Sequence, residues 1–221
     1  MNKRPITYAA VATLSAAALL AAAPAQAEFD LGINVSNIGF GVEARQTLSP
    51  SFDLRFGIAG IRYSFDFEYD DTDYDVEQSM AVPEVKLDWR PGQGVFRMTA
   101  GLAYYNQVSQ ADLAVNPTDS YNIGNGIYTG TQLCSLNGKI SYHTGAPYFG
   151  VGWDFLPKGK NMGFTVDVGA YYRNKPDVWL YSTDPLSTPG LATNVQIEAN
   201  NIENDVWTFD PVVKLGMLFR F

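Results

Sequence analysis

The last sixteen residues, Val206 to Phe221, carry an apolar side chain at every odd position: Trp207, Phe209, Pro211, Val213, Leu215, Met217, Phe219 and Phe221. Most even positions are polar or small, as at Thr208, Asp210, Lys214, Gly216 and Arg220, with Val206, Val212 and Leu218 as exceptions. Alternation with period two predicts a strand that has one apolar and one mixed face. The pattern recurs upstream. Phe29, Leu31, Ile33 and Val35 alternate with Asp30, Gly32, Asn34 and Ser36, and Ile38, Phe40, Val42 and Ala44 follow after a very short turn. Phe52 to Ile58 form a third run, whose phase slips at Ala59-Gly60 before Ile61, Tyr63, Phe65 and Phe67; the slip predicts a β-bulge. Further runs cover Pro83–Trp89, Phe96–Tyr104, Pro147–Phe155 and Phe164–Tyr172. Together these make about eight strands.

The connections alternate as well. Leu48-Ser49-Pro50, Pro91-Gly92-Gln93-Gly94 and Pro157-Lys158-Gly159-Lys160 are tight-turn sequences, whereas 68–76, 109–138 and 174–205 are longer polar stretches. That asymmetry fits a closed antiparallel up-and-down transmembrane β-barrel with short periplasmic turns and long extracellular loops. A soluble sandwich or lipocalin-like barrel also alternates, and periodicity alone does not say which face of Glu84, Lys86, Asp88 and Arg90 meets the solvent.

The amino-terminal segment favours the membrane alternative. Lys3 and Arg4 precede an apolar run from Ala9 to Ala23, then Ala25-Gln26-Ala27. A basic start, a short apolar stretch and a small-x-small site define a secretory signal peptide over 1–27, leaving a mature barrel of 28–221. Its apolar run is shorter than the ~20 residues a helical span needs. Bacterial outer-membrane localisation follows, with both termini periplasmic.

Composition changes the picture little but excludes some functions. Aromatics make up 14% and glycines number 20, as expected for interfacial girdles around a narrow barrel. Cleavage would remove Lys3 and Arg4, leaving 13 basic against 23 acidic side chains and a formal charge of −10. That balance argues against nucleic-acid binding. Cys134 is the sole cysteine, so no intrachain disulfide forms.

Eight strands enclose a space that side chains can fill, which leaves no aqueous channel. The expected inward charge network comprises Glu43, Arg45, Arg55, Arg62, Glu84, Lys86, Asp88, Arg97, Asp167 and Lys214. With Asp30, Asp53, Asp66, Asp154, Asp210, Arg90, Arg173 and Arg220 added, nine cations face nine anions, because an unpaired interior charge would be costly. The predicted role is structural or surface recognition through the loops. A narrow conduit or carrier for small molecules is the alternative.

Catalysis, cofactors and metals find little support. The acidic run Glu68 to Asp75 lacks the glycine and closing glutamate of a calcium loop. His143, the single histidine, lies two residues after Ser141 on the same strand face, expected to point outward near the outer leaflet. A lipid A-modifying hydrolase would need a carboxylate to orient that histidine, and none is evident in sequence. Leu191 to Glu203 could hold a helical turn or two. A monomer is expected, without cofactor, in contact with outer-membrane lipid and lipopolysaccharide.

The stretches Ser135-Leu136-Asn137-Gly138-Lys139-Ile140 and Ala146-Pro147-Tyr148-Phe149-Gly150-Val151-Gly152-Trp153 resemble a segment that recurs in uncharacterised proteobacterial outer-membrane β-barrel proteins. Pro211 to Gly216 and Arg220-Phe221 are similar to the same family. The resemblance implies location and topology, in an architecture like the transmembrane domain of outer-membrane protein A, and brings no catalytic residues. It also implies that Leu215, Met217, Phe219 and Phe221 act as a carboxy-terminal signal to the barrel-assembly machinery.

Overall fold

The computed structural model describes residues 28–69, 72–113, 115–157, 160–183 and 188–221; of 65–69, 72–75 and 113 only the backbone is described. The signal peptide expected over 1–27 and the Lys158-Gly159 tip of the third tight turn lie outside the described residues.

Among the described residues, eleven strands and two helices follow one another: β1 (Phe29–Ser36), β2 (Gly39–Ser49), β3 (Phe52–Tyr69), β4 (Thr72–Trp89), β5 (Phe96–Leu113), β6 (Ser120–Ile123), β7 (Gly126–Thr129), α1 (Gly130–Leu133), β8 (Leu136–Phe155), β9 (Met162–Tyr172), β10 (Asp177–Ser182), α2 (Leu191–Asp205) and β11 (Phe209–Arg220). Consecutive strands pair antiparallel from β1 to β5, β5 pairs with β8, and β8 with β9. β9 pairs with β11, and β11 closes the cylinder on β1, with Leu31 opposite Phe219 and Val35 opposite Leu215. β10 continues the line of β9 along β8: Tyr171 stands opposite Tyr148, and Asp177 opposite Ser141. The barrel therefore has eight staves, one of them broken at 173–176. The start of β1, the end of β11 and the three short turns share one end, where the Phe221 amide donates to the Phe29 carbonyl at 3.0 Å.

The two faces settle the ambiguity left by periodicity. Phe149 on the outer face is 67% exposed, while Arg97 on the inner face is 0% exposed. Leu31, Ile33, Phe40, Val42, Leu102, Phe164, Val213 and Leu215 are also exposed and apolar. A chain that hides its arginines and shows its phenylalanines is built for hydrocarbon around a polar centre. Phe149→Arg, at mid-height of this belt, is expected to cost about 2–4 kcal/mol when unfolding is measured from lipid vesicles.

Several expectations need correction. β3 and β4 stay in one register from Phe52↔Trp89 to Tyr69↔Thr72, with no slip at Ala59-Gly60; the register shift lies at Thr47/Ser49 between β2 and β3. Odd positions of β3 thus keep facing inward: Ala59 is buried and Ile61 packs on the buried cluster. Arg62 in consequence points outward. Its side chain is 76% exposed and pairs with Glu77 at 2.7 Å, so it belongs to no lumen network. At Gly60 the inner face turns from charged to apolar, which in sequence mimics a bulge.

The long connections are largely folded. The acidic stretch 68–76 is mostly paired backbone, with Glu68 opposite Asp73, and only Asp70-Asp71 lie outside the described residues. β8 starts at Leu136, and Leu191–Asp205 is a helix of 15 residues rather than a turn or two. Mutual packing explains this: Ile123, Tyr128, Leu133, Leu191 and Val195 form a buried cluster above the barrel, with Leu136 and Leu180 against it. Burying several such side chains, each worth about 1.5–3 kcal/mol, supports a small folded cap.

Candidate functional site in the barrel lumen

The lumen has two tiers. The tier toward the short-turn end is a dense ion-pair network. Arg97 holds Asp167 with two parallel bonds, Nη1 to Oδ1 at 2.7 Å and Nη2 to Oδ2 at 2.9 Å, and its Nε donates to Asp154 at 3.1 Å. Arg55 Nη2 donates to Asp88 Oδ1 at 2.8 Å, and Arg45 Nη1 to Asp154 Oδ2 at 2.7 Å. The Thr99 and Thr165 hydroxyls donate to Asp88 Oδ1 and Asp154 Oδ1, at 2.6 and 2.8 Å. Glu43 sits 3.5 Å from both Arg45 and Arg55.

Higher up, Glu84 lies between two ammonium groups, Lys86 at 2.8 Å and Lys214 at 2.6 Å, and accepts a hydrogen bond from the Tyr171 hydroxyl. Lys86 Nζ stands 3.9 Å above the Tyr148 ring. Next to the short turns, Arg90 bridges Asp53 and Asp154, and Arg220 joins Asp30 to Glu28. Arg45, Arg55, Lys86, Arg90, Arg97, Lys214 and Arg220 thus meet Asp30, Glu43, Asp53, Glu84, Asp88, Asp154 and Asp167, seven of each sign. Arg173 and Asp210, 3.6 Å apart, add one more of each near the far end. Arg62 is outside, and the side chain of Asp66 is not among those described. Neutrality is what a low-dielectric interior demands, since an unmatched charge there costs several kcal/mol.

Above the charged tier the inner face becomes apolar and aromatic. Ile38, Ala59, Met80, Val82, Ala103, Tyr105, Ala146, Tyr148, Tyr171 and Val212 are buried in one cluster. The Tyr171 ring lies 4.8 Å from Tyr148 and 5.3 Å from Tyr105 between centroids. Arg173 closes the top, 4.4 Å over the Tyr142 ring and 5.0 Å over Tyr105, whose hydroxyl donates to Asp210 at 2.8 Å. Room for Tyr148 is made by glycines: a Cβ at Gly150 or Gly169 would lie 2.5 or 2.4 Å from its hydroxyl. This aromatic collar was not legible as lumen in the sequence. The signal was there in the even-numbered Tyr142, Ala146 and Tyr148, which share the face of Gly152 and Asp154.

A cavity of about 370 Å³ opens at the short-turn end, lined by Arg45, Asp53, Arg90, Asp154, Arg220 and Glu28 among others. It ends below the collar.

The remaining candidates are placed as follows. Leu215, Met217 and Phe219 stand opposite Val35, Ile33 and Leu31 on the seam strand, and Phe221 is exposed at its end. His143 is exposed opposite Asn106. Ser141 is buried rather than outward-exposed, opposite Asp177, a carboxylate that only the pairing of β8 with β10 brings near. Among the described residues no hydrogen bond joins Ser141, His143 and Asp177. No group of His, Cys, Asp and Glu among the described residues is arranged to hold a metal ion.

Fold and lumen define an outer-membrane β-barrel, and comparison with solved structures agrees. Acinetobacter baumannii CarO superimposes with a TM-score of 0.63 at 27% identity, covering 87% of this chain and 97% of that one. Acinetobacter baumannii CarO2 gives 0.65 at 24% identity, with coverages of 88% and 98%. No protein-family profile and no curated protein sequence matches the chain. It is a small bacterial outer-membrane barrel, similar in fold to CarO.

Proposed function

We propose that the protein is a closed, non-conducting barrel that presents a folded recognition module at the cell surface. The observation that carries this reading is the cap, whose own buried cluster of Ile123, Tyr128, Leu133, Leu191 and Val195 is more than a membrane anchor requires. Folded surface elements on a rigid scaffold are where binding residues concentrate. The charge network and the collar then serve as a plug that braces the cylinder. In this reading the long connections face the exterior and the termini the periplasm, the chain is a monomer without enzymatic activity, and the strand ending Leu215, Met217, Phe219, Phe221 engages the assembly machinery.

Cys134 offers a direct test of orientation, being exposed and the sole cysteine. A membrane-impermeant maleimide added to intact cells is expected to label it; labelling only after outer-membrane lysis overturns the orientation. Planar-bilayer recording tests the plug, with silence expected. A conduit is the second reading, favoured by the cavity at the short-turn end. Reproducible single-channel steps would replace the plug with it.

A further inference from the structure

The sheet does not stop where the lipid-facing belt ends. β5, β8 and β10 run on together toward the long-connection end, in register through Gln110↔Lys139 and Lys139↔Trp179. The two faces of β10 differ. Leu180 packs against the cap cluster and Ser182 donates to the Leu133 carbonyl at 2.6 Å. Asp177, Trp179 and Tyr181 face the other way. Trp179 is 67% and Tyr181 57% exposed, opposite Lys139 and Asn137 respectively. Two flat aromatic faces thus stand on a three-strand platform, flanked by an ammonium group and carboxamides.

Height excludes an ordinary interfacial girdle. Tyr104 is the last exposed aromatic of β5 in the apolar belt, and Gln110 lies six residues beyond it. At about 3.3 Å per residue and a tilt of about 40°, that places the platform roughly 15 Å above the belt's rim. Acyl chains do not reach that level. In a leaflet of lipopolysaccharide, phosphorylated glucosamine and the sugars of the core surround the barrel there. Aromatic faces stack on the C–H faces of pyranose rings, while ammonium and amide groups bond hydroxyls and phosphate. Asp177 and Asp112 flank the platform, so net charge does not select the ligand; the rings do.

We propose that Trp179 and Tyr181, with Lys139 between the strands, form a binding platform for the core saccharide of the lipopolysaccharide in which the barrel is embedded. Its continuity with the lipid-facing belt, on the same faces of β5 and β8, is what identifies the occupant. The proposal rests on the orientation above, and Cys134 labelling tests that orientation separately.

The test uses the full folded barrel in detergent micelles, with rough lipopolysaccharide and core-free lipid A as probes, read by thermophoresis. The Trp179→Ala/Tyr181→Ala double variant is expected to lose on the order of tenfold in affinity for rough lipopolysaccharide, with lipid A binding unchanged. Ile127→Ser, at an exposed apolar residue elsewhere on the cap, should alter neither. Wild-type affinity in the double variant overturns the proposal, as does an equal loss toward both probes. Heat-modifiable migration reports folding, and the single Trp179→Ala variant repeats the comparison should the double variant misfold.

Discussion

Replacing Arg97 with leucine is expected to lower the unfolding free energy by about 3–5 kcal/mol, the range for removing one partner of a buried ion pair. Arg97 is fully buried, and its guanidinium holds Asp167 and Asp154 while lying 3.4 Å from Asp88. Arg55 remains near Asp167 at 3.2 Å, and Arg45 and Arg90 near Asp154, so the loss falls mainly on Asp167. Adding Asp167→Leu to Arg97→Leu should therefore recover part of the deficit, because both charges of the closest pair are then gone. Urea titration from lipid vesicles, followed by tryptophan fluorescence, measures both effects. An Arg97→Leu midpoint equal to wild type would show that the network does not brace the barrel.

Gly169→Val should also be strongly damaging, at or above the upper end of the ~1–3 kcal/mol typical of overpacked interiors. Its Cβ would lie 2.4 Å from the Tyr148 hydroxyl and 2.6 Å from the Phe149 carbonyl oxygen. The tyrosine cannot swing aside, for Tyr171 stands 4.8 Å from its ring centroid and Lys86 lies over its face at 3.9 Å. Loss of the heat-modifiable band is the expected readout. Shrinking the ring as well, in Gly169→Val/Tyr148→Gly, should restore folding only in part, since the carbonyl contact remains. A Gly169→Val protein with native migration would mean the collar is loose.

Both experiments probe a lumen of which the sequence revealed only half. The charged tier was readable because Glu84, Lys86 and Asp88 repeat with period two and would be intolerable on a lipid face. The collar was not, because Tyr105, Tyr142 and Tyr148 look the same in sequence as the girdle residues Tyr104 and Tyr172. Tyrosine suits either place, with an apolar body and one polar tip. Arg62 shows the same ambiguity: Ile61 after Gly60 is an apolar inner position, which in sequence looks the same as a change of phase.

The cap was equally hidden. Polar composition over 109–138 and 174–205 reads as loop, since its few apolar anchors (Ile123, Leu133, Leu191, Val195) are far apart along the chain. Nothing in either segment alone shows that they share a core. The Ser141–Asp177 register is likewise a product of pairing across 36 positions.

By itself the sequence determined the number of barrel staves, the antiparallel alternation and the sign balance of the interior, because those follow from local periodicity and from the cost of unpaired charge. Tertiary structure decided which side faces outward at each height, where charge gives way to tyrosine, and that the long connections fold on one another. Those outcomes depend on which residues meet across the closed cylinder, and such contacts are set by register and closure rather than by any short stretch of chain.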